Sequence, residues 1–240
     1  MKERNSKVSR NYYLGVDTET CNSLIDEKGK LDLSNSLVYD VGWEIVDRFG
    51  NPYKKRSYVV EEIFNDTELI DSAYYKEKIP QYKIDIQEGK RILAPFEKIR
   101  MILLSDRKRW KCKAVFAHNA YFDYNALNTT YRYLTGSKYR YFFPYKCNIW
   151  DTLKMSRDTI GKTLDYSKYC KDNNYLTNHK TPQNRLTAEI LYRYITDTPN
   201  FIESHTGLED VEIEKDIFAY CLKHGGKNMR RSLFSRKCPE

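Results

Sequence analysis

The chain has 240 residues, of which 40% are hydrophobic, and this length suits one domain with a sizeable core. Lys and Arg total 41 against 33 Asp and Glu, so the formal net charge of +8 favours a polyanionic partner. Residues 1–11 are polar and charged, and no apolar run reaches the length of a membrane span. We therefore expect a cytoplasmic protein without a signal peptide and without a membrane partner.

The six cysteines are scattered and form no Cys-x-x-Cys pair, which argues against both a zinc site and a disulfide framework. Reduced thiols in a reducing compartment are the favoured interpretation. The abundance of Lys, Asn, Ile and Tyr is typical of an A+T-rich genome, so a viral or bacterial source suits the composition.

The first predicted element is a strand over residues 12–20. Because side chains alternate along a strand, Asp17 and Glu19 fall on one face while Val16 and Thr18 point to the other. One face of this strand can therefore offer two carboxylates to the same ligand.

Two further strands, over residues 37–47 and 56–60, flank a turn at residues 49–52 and predict an antiparallel hairpin. Apolar residues at helical spacing then predict a helix over residues 92–104. The helix leads to a short apolar strand at residues 114–117. Because a helical crossover separates it from the hairpin, this fourth strand should run parallel in the sheet.

Asn119 stands where a helix N-cap belongs, which would place Asp123 one turn into the following helix. Residues 147–155 read as a fifth strand. The last predicted elements are helices over residues 164–172, 186–195 and 208–223. The order β-β-β-α-β-α-β with C-terminal helices predicts an α/β fold around a mixed five-stranded sheet.

Thr206 and Glu209 have the spacing of a capping box, which makes Thr206 the N-cap of the last helix. His205 and Asp210 then occupy the two positions that meet in a hydrophobic staple, so this helix start should bring them together. Each acid alone would equally suit a solvated strand end or a first helical turn. Together, Asp17, Glu19, Asp123 and Asp210 would repel one another, and a divalent metal is the usual counter-charge.

Three segments carry a family resemblance: Asp-Thr-Glu-Thr at residues 17–20, His-Asn-Ala-Tyr-Phe-Asp at 118–123, and His205 with Asp210. In this order they resemble the DEDDh (DnaQ-like) 3′→5′ exonucleases of the ribonuclease H-like superfamily. The sister branch has Tyr where this chain has Thr206. The resemblance implies an exonuclease domain at 12–224, with a flexible arm at 1–11 and a basic tail at 225–240.

The resemblance also implies roles for the five residues. Asp17 would bridge two Mg²⁺ or Mn²⁺ ions, and Glu19 and Asp210 would share the first ion. Asp123 would hold its ions through water or act weakly on the second. His205 would be the general base that takes a proton from the attacking water, a task that suits an imidazole of ordinary pKa.

Thr20, Asn119 and Tyr121 lie where the family holds the terminal nucleotide, although Asn119 could equally serve only as a helix cap. His118 follows an apolar strand and is expected to pack or hydrogen-bond rather than bind metal. Asp151 could be a substitute ligand, and a supporting role is preferred.

Residues 128–146 interleave aromatic and basic side chains, a composition suited to stacking bases and neutralising phosphates. The preferred alternative is a surface hairpin around residues 136–137, with most of its rings packed on the domain. The extension at 53–91 receives no role. Residues 232–234 weakly resemble a sliding-clamp peptide, and a solvated tail is the favoured interpretation.

The predicted function is that of a metal-dependent 3′→5′ exonuclease releasing nucleoside monophosphates from single-stranded or frayed 3′ ends. DNA is favoured, in replication proofreading or DNA processing. A polymerase would be a separate protein, and a sliding clamp is another conceivable partner. The alternatives are an RNA-trimming, oligoribonuclease-like enzyme and a non-catalytic module that binds nucleic acid or a replication partner.

Overall fold

The computed structural model describes residues 10–22, 24–25, 31–32 and 34–234. Residues 1–9 of the predicted arm and 235–240 of the predicted tail lie outside this range. The strands are β1 (Tyr12–Cys21), β2 (Leu24–Ile25), β3 (Leu31–Asp32), β4 (Leu37–Asp47), β5 (Pro52–Val60), β6 (Ile92–Ala94), β7 (Val115–Ala117) and β8 (Ile149–Asp151).

Six of these strands form one mixed sheet in the order β6-β5-β4-β1-β7-β8, while β2 and β3 pair with each other. β4 is antiparallel to both β1 and β5, whereas β7 runs parallel to β1 and β8 runs parallel to β7. The antiparallel opening and the parallel fourth strand are therefore confirmed. The predicted α/β fold class is confirmed as well, with one more edge strand than expected.

Helices cover both faces of this sheet. One core cluster joins the sheet to the helices up to residue 135, and the other joins it to the helices from residue 152 onward. The helices are α1 (Glu61–Phe64), α2 (Thr67–Asp71), α3 (Ile79–Gln87), α4 (Phe96–Arg109), α5 (Tyr121–Thr135), α6 (Thr152–Asp158), α7 (Leu164–Asp172), α8 (Ala188–Thr196) and α9 (Gly207–His224). None of the helices in the described part of the chain has the length and apolar character that crossing a membrane requires.

The two faces of β1 lead to different helices. A side chain at Gly15 would meet Val211 of α9, so the odd-numbered positions of β1 face α9. Leu14 and Val16 belong to the core on the opposite side. The alternation predicted from the sequence therefore holds, and it directs Asp17 toward α9.

The helix predicted over residues 92–104 begins later, and its first part is a strand. Ile92 to Ala94 pair in parallel with β5, and α4 starts only at Phe96. Pro95 explains the boundary, because the residue before a proline is disfavoured in helical conformation. The Phe96 amide donates to the carboxylate of Glu62 at 2.9 Å, which satisfies a free N–H of the new helix.

Two other predicted elements are also corrected. The strand predicted over 147–155 spans only Ile149–Asp151, because the Asp151 side chain accepts from the Leu153 amide and caps α6. The hairpin predicted around 136–137 is absent from the described residues there: α5 continues to Thr135 and ends at Gly136, whose φ of 62° forms a left-handed C-cap.

The described part of the C-terminal segment packs along the edge of the sheet. The Asp151 amide donates to the carbonyl of Arg231, and the Leu233 amide donates to that of Ile149, both at 2.8 Å. Met229 and Leu233 are buried. Residues 229–233 therefore cover the free edge of β8, and Leu233 is not available as part of a free clamp-binding peptide.

The start of α9 lies directly on the backbone of β4. A Cβ at Gly42 would lie 2.1 Å from the Leu208 nitrogen, and a Cβ at Gly207 would lie 2.8 Å from the Gly42 nitrogen. Only glycine at both positions permits this approach. The Gly207 amide also donates to the buried carboxylate of Asp40 at 2.9 Å, so β4 supplies a cap for the helix.

The capping box predicted at Thr206 and Glu209 does not form. Thr206 is the N-cap residue, but its hydroxyl donates to the Glu209 carboxylate at 2.7 Å and accepts no hydrogen bond from the backbone N–H groups of the helix. Glu209 in turn accepts two hydrogen bonds from Arg91. A cap from another strand and a buried arginine replace the local motif, which is why sequence spacing alone could not identify them.

Arg91 joins four elements around this helix start. Its guanidinium donates to Asp40 on β4 at 3.3 Å, to Ser57 on β5 at 2.8 Å and to Asp85 on α3 at 3.3 Å. The two bonds to Glu209 complete the set. Because charge-assisted bonds to a buried arginine fix geometry strongly, Arg91 holds the first turn of α9 against the sheet.

We expect Gly42→Ala to reduce the free energy of unfolding by about 1–3 kcal/mol or more, since the added methyl forces α9 away from β4. Urea denaturation measures the change. Gly226→Ala is the matched control, because a Cβ at Gly226 meets nothing within 4 Å. Equal stability of Gly42→Ala and the parent chain would show that the close contact is not required.

Candidate active site

A cleft of about 890 Å³ opens where β1, β7 and α9 meet. One side is acidic and the other is polar and basic. The acidic side and floor consist of Asp17, Thr18, Glu19, Glu203, His205, Asp210 and Glu214.

Asp17, Glu19 and Asp210 form the centre of the acidic side. Their carboxylate oxygens lie within 4.8 Å of one another. β1 presents the first two from the same face, and the first turn of α9 presents the third. The structure therefore brings together three of the five residues that the sequence motifs indicated, in a group small enough to share one cation.

Asp123 lies beside this group on the first turn of α5. Its Oδ1 accepts a hydrogen bond from the hydroxyl of Thr18 at 2.9 Å. Thr18 is on the face of β1 opposite to Asp17, so Asp123 approaches the strand from the other side. It belongs to neither compact cluster of potential ligands among the described residues, but its charge adds to burial in raising the pKa of Asp17.

The site also contains two carboxylates that the motifs did not identify. Glu203 has an oxygen within 4.8 Å of ligand atoms of His205 and Asp210. Glu214 is buried, accepts from the His118 amide at 3.0 Å, and its other oxygen has no hydrogen-bond partner among the described residues. Glu214 lies one helical turn after Asp210, so the helical period was the available signal for it.

Burial and mutual repulsion raise the pKa values of all these acids. Burial first, then Asp210, raises the pKa of Glu19 to about 9. Burial first, then Glu203, raises the pKa of Asp210 to about 8, and burial raises the pKa of Asp123 to about 7 against the Thr18 hydrogen bond. Without a counter-ion, the folded chain therefore retains protons on groups that are ordinarily ionised at neutral pH.

His205 lies close to Asp210, as predicted, but its backbone conformation brings it there instead of a capping box. Its backbone is left-handed, with φ of 52°, a conformation that few non-glycine residues adopt. This reversal directly before α9 directs the imidazole toward Asp210 and Glu203. Burial lowers the pKa of His205 against the opposing charge of Glu189, so the ring is neutral at neutral pH and able to accept a proton.

Tyr75 stacks on His205 with ring centroids 4.3 Å apart and an interplanar angle of 8°. Tyr75 comes from the 53–91 extension, directly before the 3₁₀ turn at Lys76–Lys78. The 53–91 extension, to which the sequence analysis assigned no role, therefore positions a ring against His205. Because a single aromatic residue in a long insertion has no distinctive spacing, sequence reasoning could not identify it.

The three residues predicted to hold the terminal nucleotide lie in different environments. Asn119 lines the cleft, whereas Thr20 is buried in β1 and Tyr121 is exposed outside the lining. Asn119 is not the helix N-cap that the sequence suggested, because its φ of 59° is left-handed. The cap position falls at Ala120, and Phe122 lines the cleft where Tyr121 was expected.

The opposite side of the cleft is polar and basic. It consists of Arg157 together with side chains from the segment before α8: Thr177, Asn178, Gln183, Asn184 and Arg185. His118 anchors this segment, because its Nε2 lies 2.7 Å from the carbonyl oxygen of Leu186 and must donate to it. His118 is therefore a hydrogen-bonding residue, and Asp151 serves as the cap of α6 outside the cleft lining.

The acidic side suits hard divalent cations. All its ligand atoms except those of His205 are carboxylate oxygens, which Mg²⁺ and Mn²⁺ prefer, and no cysteine is among the lining residues. The unpartnered oxygen of Glu214 and the raised pKa values of Asp17, Glu19 and Asp210 indicate that no basic side chain in the described part of the chain balances the charge of these acids. Asp17, Glu19 and Asp210 could hold one ion, and Asp123 could contribute beside Asp17.

The fold is similar to that of several solved structures. The zinc-bound form of E. coli exonuclease I with single-stranded DNA gives a TM-score of 0.50 at 13% identity, covering 89% of this chain and 40% of that chain. E. coli exonuclease I with a 5cy-dT13 oligonucleotide gives 0.50 at 11% identity over the same shares. Exonuclease X in complex with 5′ overhanging duplex DNA gives 0.40 at 15% identity, covering 88% and 91%.

The two likenesses with a TM-score of 0.50 show that this chain shares the fold of the exonuclease I structures. This chain spans well under half of the exonuclease I chains. Neither a protein-family model nor a curated protein sequence matches it.

We expect the stability of the chelated protein to fall as pH rises. The unfolded chain releases the Asp and Glu protons near pH ~4, whereas folded Asp210 and Glu19 hold theirs to about 8 and about 9. Stability from these groups is therefore complete below the unfolded pKa and is lost as pH rises through the folded pKa values. Thermal denaturation in chelator across this window measures the decline, and Mn²⁺ should restore most stability at the alkaline end.

Glu19→Gln should flatten this decline, because the variant has one acid fewer to deprotonate. Asp172→Asn is the control, since Asp172 is exposed at the end of α7, and it should keep the parental slope. A parental slope in Glu19→Gln would contradict the assignment of the shift to the acidic side of the cleft.

Proposed function

We propose that this protein is a metal-dependent 3′→5′ exonuclease that hydrolyses the terminal phosphodiester of single-stranded or frayed nucleic acid ends. The observation that carries the proposal is the cluster of Asp17, Glu19 and Asp210 beside His205, in a cleft of the ribonuclease H-like exonuclease fold. The net charge of +8 supports a polyanionic substrate. The exonuclease I structures that share the fold contain single-stranded DNA, which makes DNA the first substrate to test.

Asp17, Glu19, Asp210 and Asp123 would hold two Mg²⁺ or Mn²⁺ ions. Such ions, when bound, activate water for attack and neutralise the charge that develops on the attacking and leaving oxygens. The chain itself supplies the alignment. β1 fixes two carboxylates at a spacing of two residues, the docked start of α9 fixes the third, and the Thr18 hydrogen bond orients Asp123.

His205 would act as the general base. Its lowered pKa keeps the imidazole ready to accept a proton from the attacking water. Stacking on Tyr75 and the left-handed backbone limit the orientations of the ring. Glu203 lies close enough to stabilise the imidazolium that results, because an adjacent carboxylate favours the charged ring.

The polar and basic side of the cleft would hold the substrate. Arg157 and Arg185 are exposed and line the same cleft as the acidic residues. Guanidinium groups bind phosphate oxygens through paired N–H donors. In a nucleic acid strand whose end lies in the cleft, the phosphates would therefore pair with these arginines. Its last phosphodiester linkage would contact the metal ions held by the carboxylates.

Digestion of end-labelled oligonucleotides tests this proposal. Single-stranded DNA, duplex DNA and RNA are incubated side by side with Mg²⁺ or Mn²⁺, with chelator or with Ca²⁺. We expect a 5′-labelled single strand to shorten progressively and a 3′-labelled strand to release labelled mononucleotide at once. Chelator should abolish cleavage, and Ca²⁺ should not support it because its looser ligand shell misplaces the attacking water.

Asp17→Asn, Glu19→Gln and Asp210→Asn should each remove nearly all turnover in this assay while the chain remains folded. Asp172→Asn should cleave as the parent does. Robust hydrolysis in excess chelator, or near-parental turnover of any of the three cleft variants, would contradict metal-dependent catalysis. Faster trimming of RNA than of DNA would assign the same chemistry to an exoribonuclease.

A separate prediction concerns His205 and Tyr75. His205→Asn should lower kcat by roughly 10²- to 10⁴-fold, the usual contribution of a general base, and should remove the acidic limb of the pH-rate profile. Tyr75→Leu should lower kcat more than it raises KM and should shift that limb, because the stacked ring positions the imidazole. Tyr75→Phe keeps the stacking and should restore the parental profile.

The control for this series is Tyr74→Phe, which keeps the exposed ring that packs edge-on against Tyr75 and removes only its hydroxyl. An unchanged acidic limb in His205→Asn would assign that limb to another group and leave His205 with a structural role.

A further inference from the structure

A second groove lies on the other side of the first turn of α5. Its volume is about 560 Å³, and none of its lining residues is shared with the acidic cleft. The groove is formed by the end of the 128–146 segment, strand β8 and the C-terminal segment. It is lined by Tyr124, Tyr141, Phe143, Pro144, Tyr145, Lys146, Cys147, Asn148, Ile149, Ser232 and Phe234.

The rings in the 128–146 segment divide into two groups. Tyr131, Phe142 and Phe143 are buried and pack into the core, as the preferred interpretation of the sequence expected. The other four rings remain exposed, contrary to that interpretation: Tyr133, Tyr139, Tyr141 and Tyr145, the last at 91% of its full accessibility. Of these four, only Tyr141 and Tyr145 line the groove.

Cations stand next to the exposed groove rings. The guanidinium of Arg132 lies 4.7 Å from the ring centroid of Tyr141, and the ammonium of Lys146 lies 5.8 Å from that of Tyr145. Residues 124–150 contain four basic side chains and no Asp or Glu. A polyanion therefore meets only attractive charge from this stretch of the chain.

Large exposed aromatic rings with adjacent cations fit one ligand class particularly well. Single-stranded nucleic acid presents flat bases, which stack on tyrosine, and regularly spaced phosphates, which pair with lysine and arginine. A protein partner of acidic character would satisfy the cations but would leave the exposed ring faces without a specific role. The observed composition thus favours a single strand over an acidic peptide.

The groove is also placed where a strand leaving the cleft could reach it. Asp123 and Tyr124 are consecutive residues of α5; the first meets the acidic site through Thr18, and the second lines the groove. β8 leads directly into α6, and Ile149 of β8 lines the groove while Leu153 of α6 lines the cleft. One turn of helix and one strand end separate the two binding surfaces.

We propose that the groove formed by Tyr124, Tyr141, Tyr145 and Lys146 binds the single-stranded part of the substrate several nucleotides away from the end that is hydrolysed. This inference rests on the proposed function for its place in the reaction, while its binding chemistry stands on the groove alone. Bases stack on Tyr141 and Tyr145, and Arg132 and Lys146 neutralise the adjoining phosphates. The groove thereby holds a strand while its end occupies the cleft.

Fluorescence anisotropy of labelled dT20 and rU20 in excess chelator tests the groove without cleavage. We expect Tyr141→Ala and Tyr145→Ala each to raise the Kd by about 5-fold or more, the usual effect of removing one stacked base contact. Lys146→Gln should reduce the slope of log K against log salt by about one phosphate contact. The oligonucleotide that the parent chain binds more tightly identifies DNA or RNA as the preferred strand.

Tyr133→Ala is the matched control, because Tyr133 is an exposed tyrosine of the same segment that does not line the groove. It should bind both oligonucleotides as the parent does. The inference is overturned if Tyr141→Ala and Tyr145→Ala bind at parental strength, if Tyr133→Ala loses as much affinity as they do, or if the parent binds neither strand.

Turnover of a dinucleotide by the parent chain is measured separately, since so short a substrate reaches only the cleft. Absence of that turnover with groove-dependent binding of dT20 or rU20 would overturn the exonuclease proposal and leave the groove in place. Turnover of the dinucleotide, together with parental binding of dT20 and rU20 by the groove variants, would overturn the groove and leave the exonuclease proposal in place.

Discussion

The contact between the first turn of α9 and strand β4 determines the geometry of the site. Two glycines, Gly42 and Gly207, allow the backbones to approach within a distance that any Cβ would obstruct. The buried carboxylate of Asp40 then accepts from the Gly207 amide and binds Arg91. Because His205 lies directly before this turn and Asp210 lies within it, the same contact sets the position of a base and an acid relative to β1.

The buried carboxyl groups on the acidic side of the cleft repel one another, so other contacts of the fold must keep them close together. Burial and like charge raise the pKa values of its carboxyl groups, a condition common at functional sites and costly elsewhere. The 53–91 extension supplies two of these supporting contacts. Arg91 ties the helix start to three neighbouring elements, and Tyr75 stacks on His205. An insertion without a recognisable motif thus supports the chemistry of three short motifs.

Much of the fold could be predicted because its strands carry local signals. The alternation along β1 placed Asp17 and Glu19 correctly, and the bounds of β4 and α7 were predicted to the residue. Several of the errors share a cause, since they depended on a partner distant in sequence. Residues 92–94 became a strand because β5 was available to pair with them, and the cap of α9 came from Asp40 instead of Thr206. Tyr75 was missed for the same reason, since only the folded chain brings it to His205. Glu214 was missed although its place one helical turn after Asp210 was a sequence signal.

The central claim is that the acidic cluster exists to bind divalent cations. Anomalous diffraction from crystals soaked in Mn²⁺ tests it most directly, because manganese peaks report the position and number of ions without relying on activity. We expect one manganese peak among the carboxylates of Asp17, Glu19 and Asp210 and a second manganese peak beside Asp17 and Asp123. A fully soaked crystal with no peak in the cleft, from protein that cleaves DNA, would contradict it.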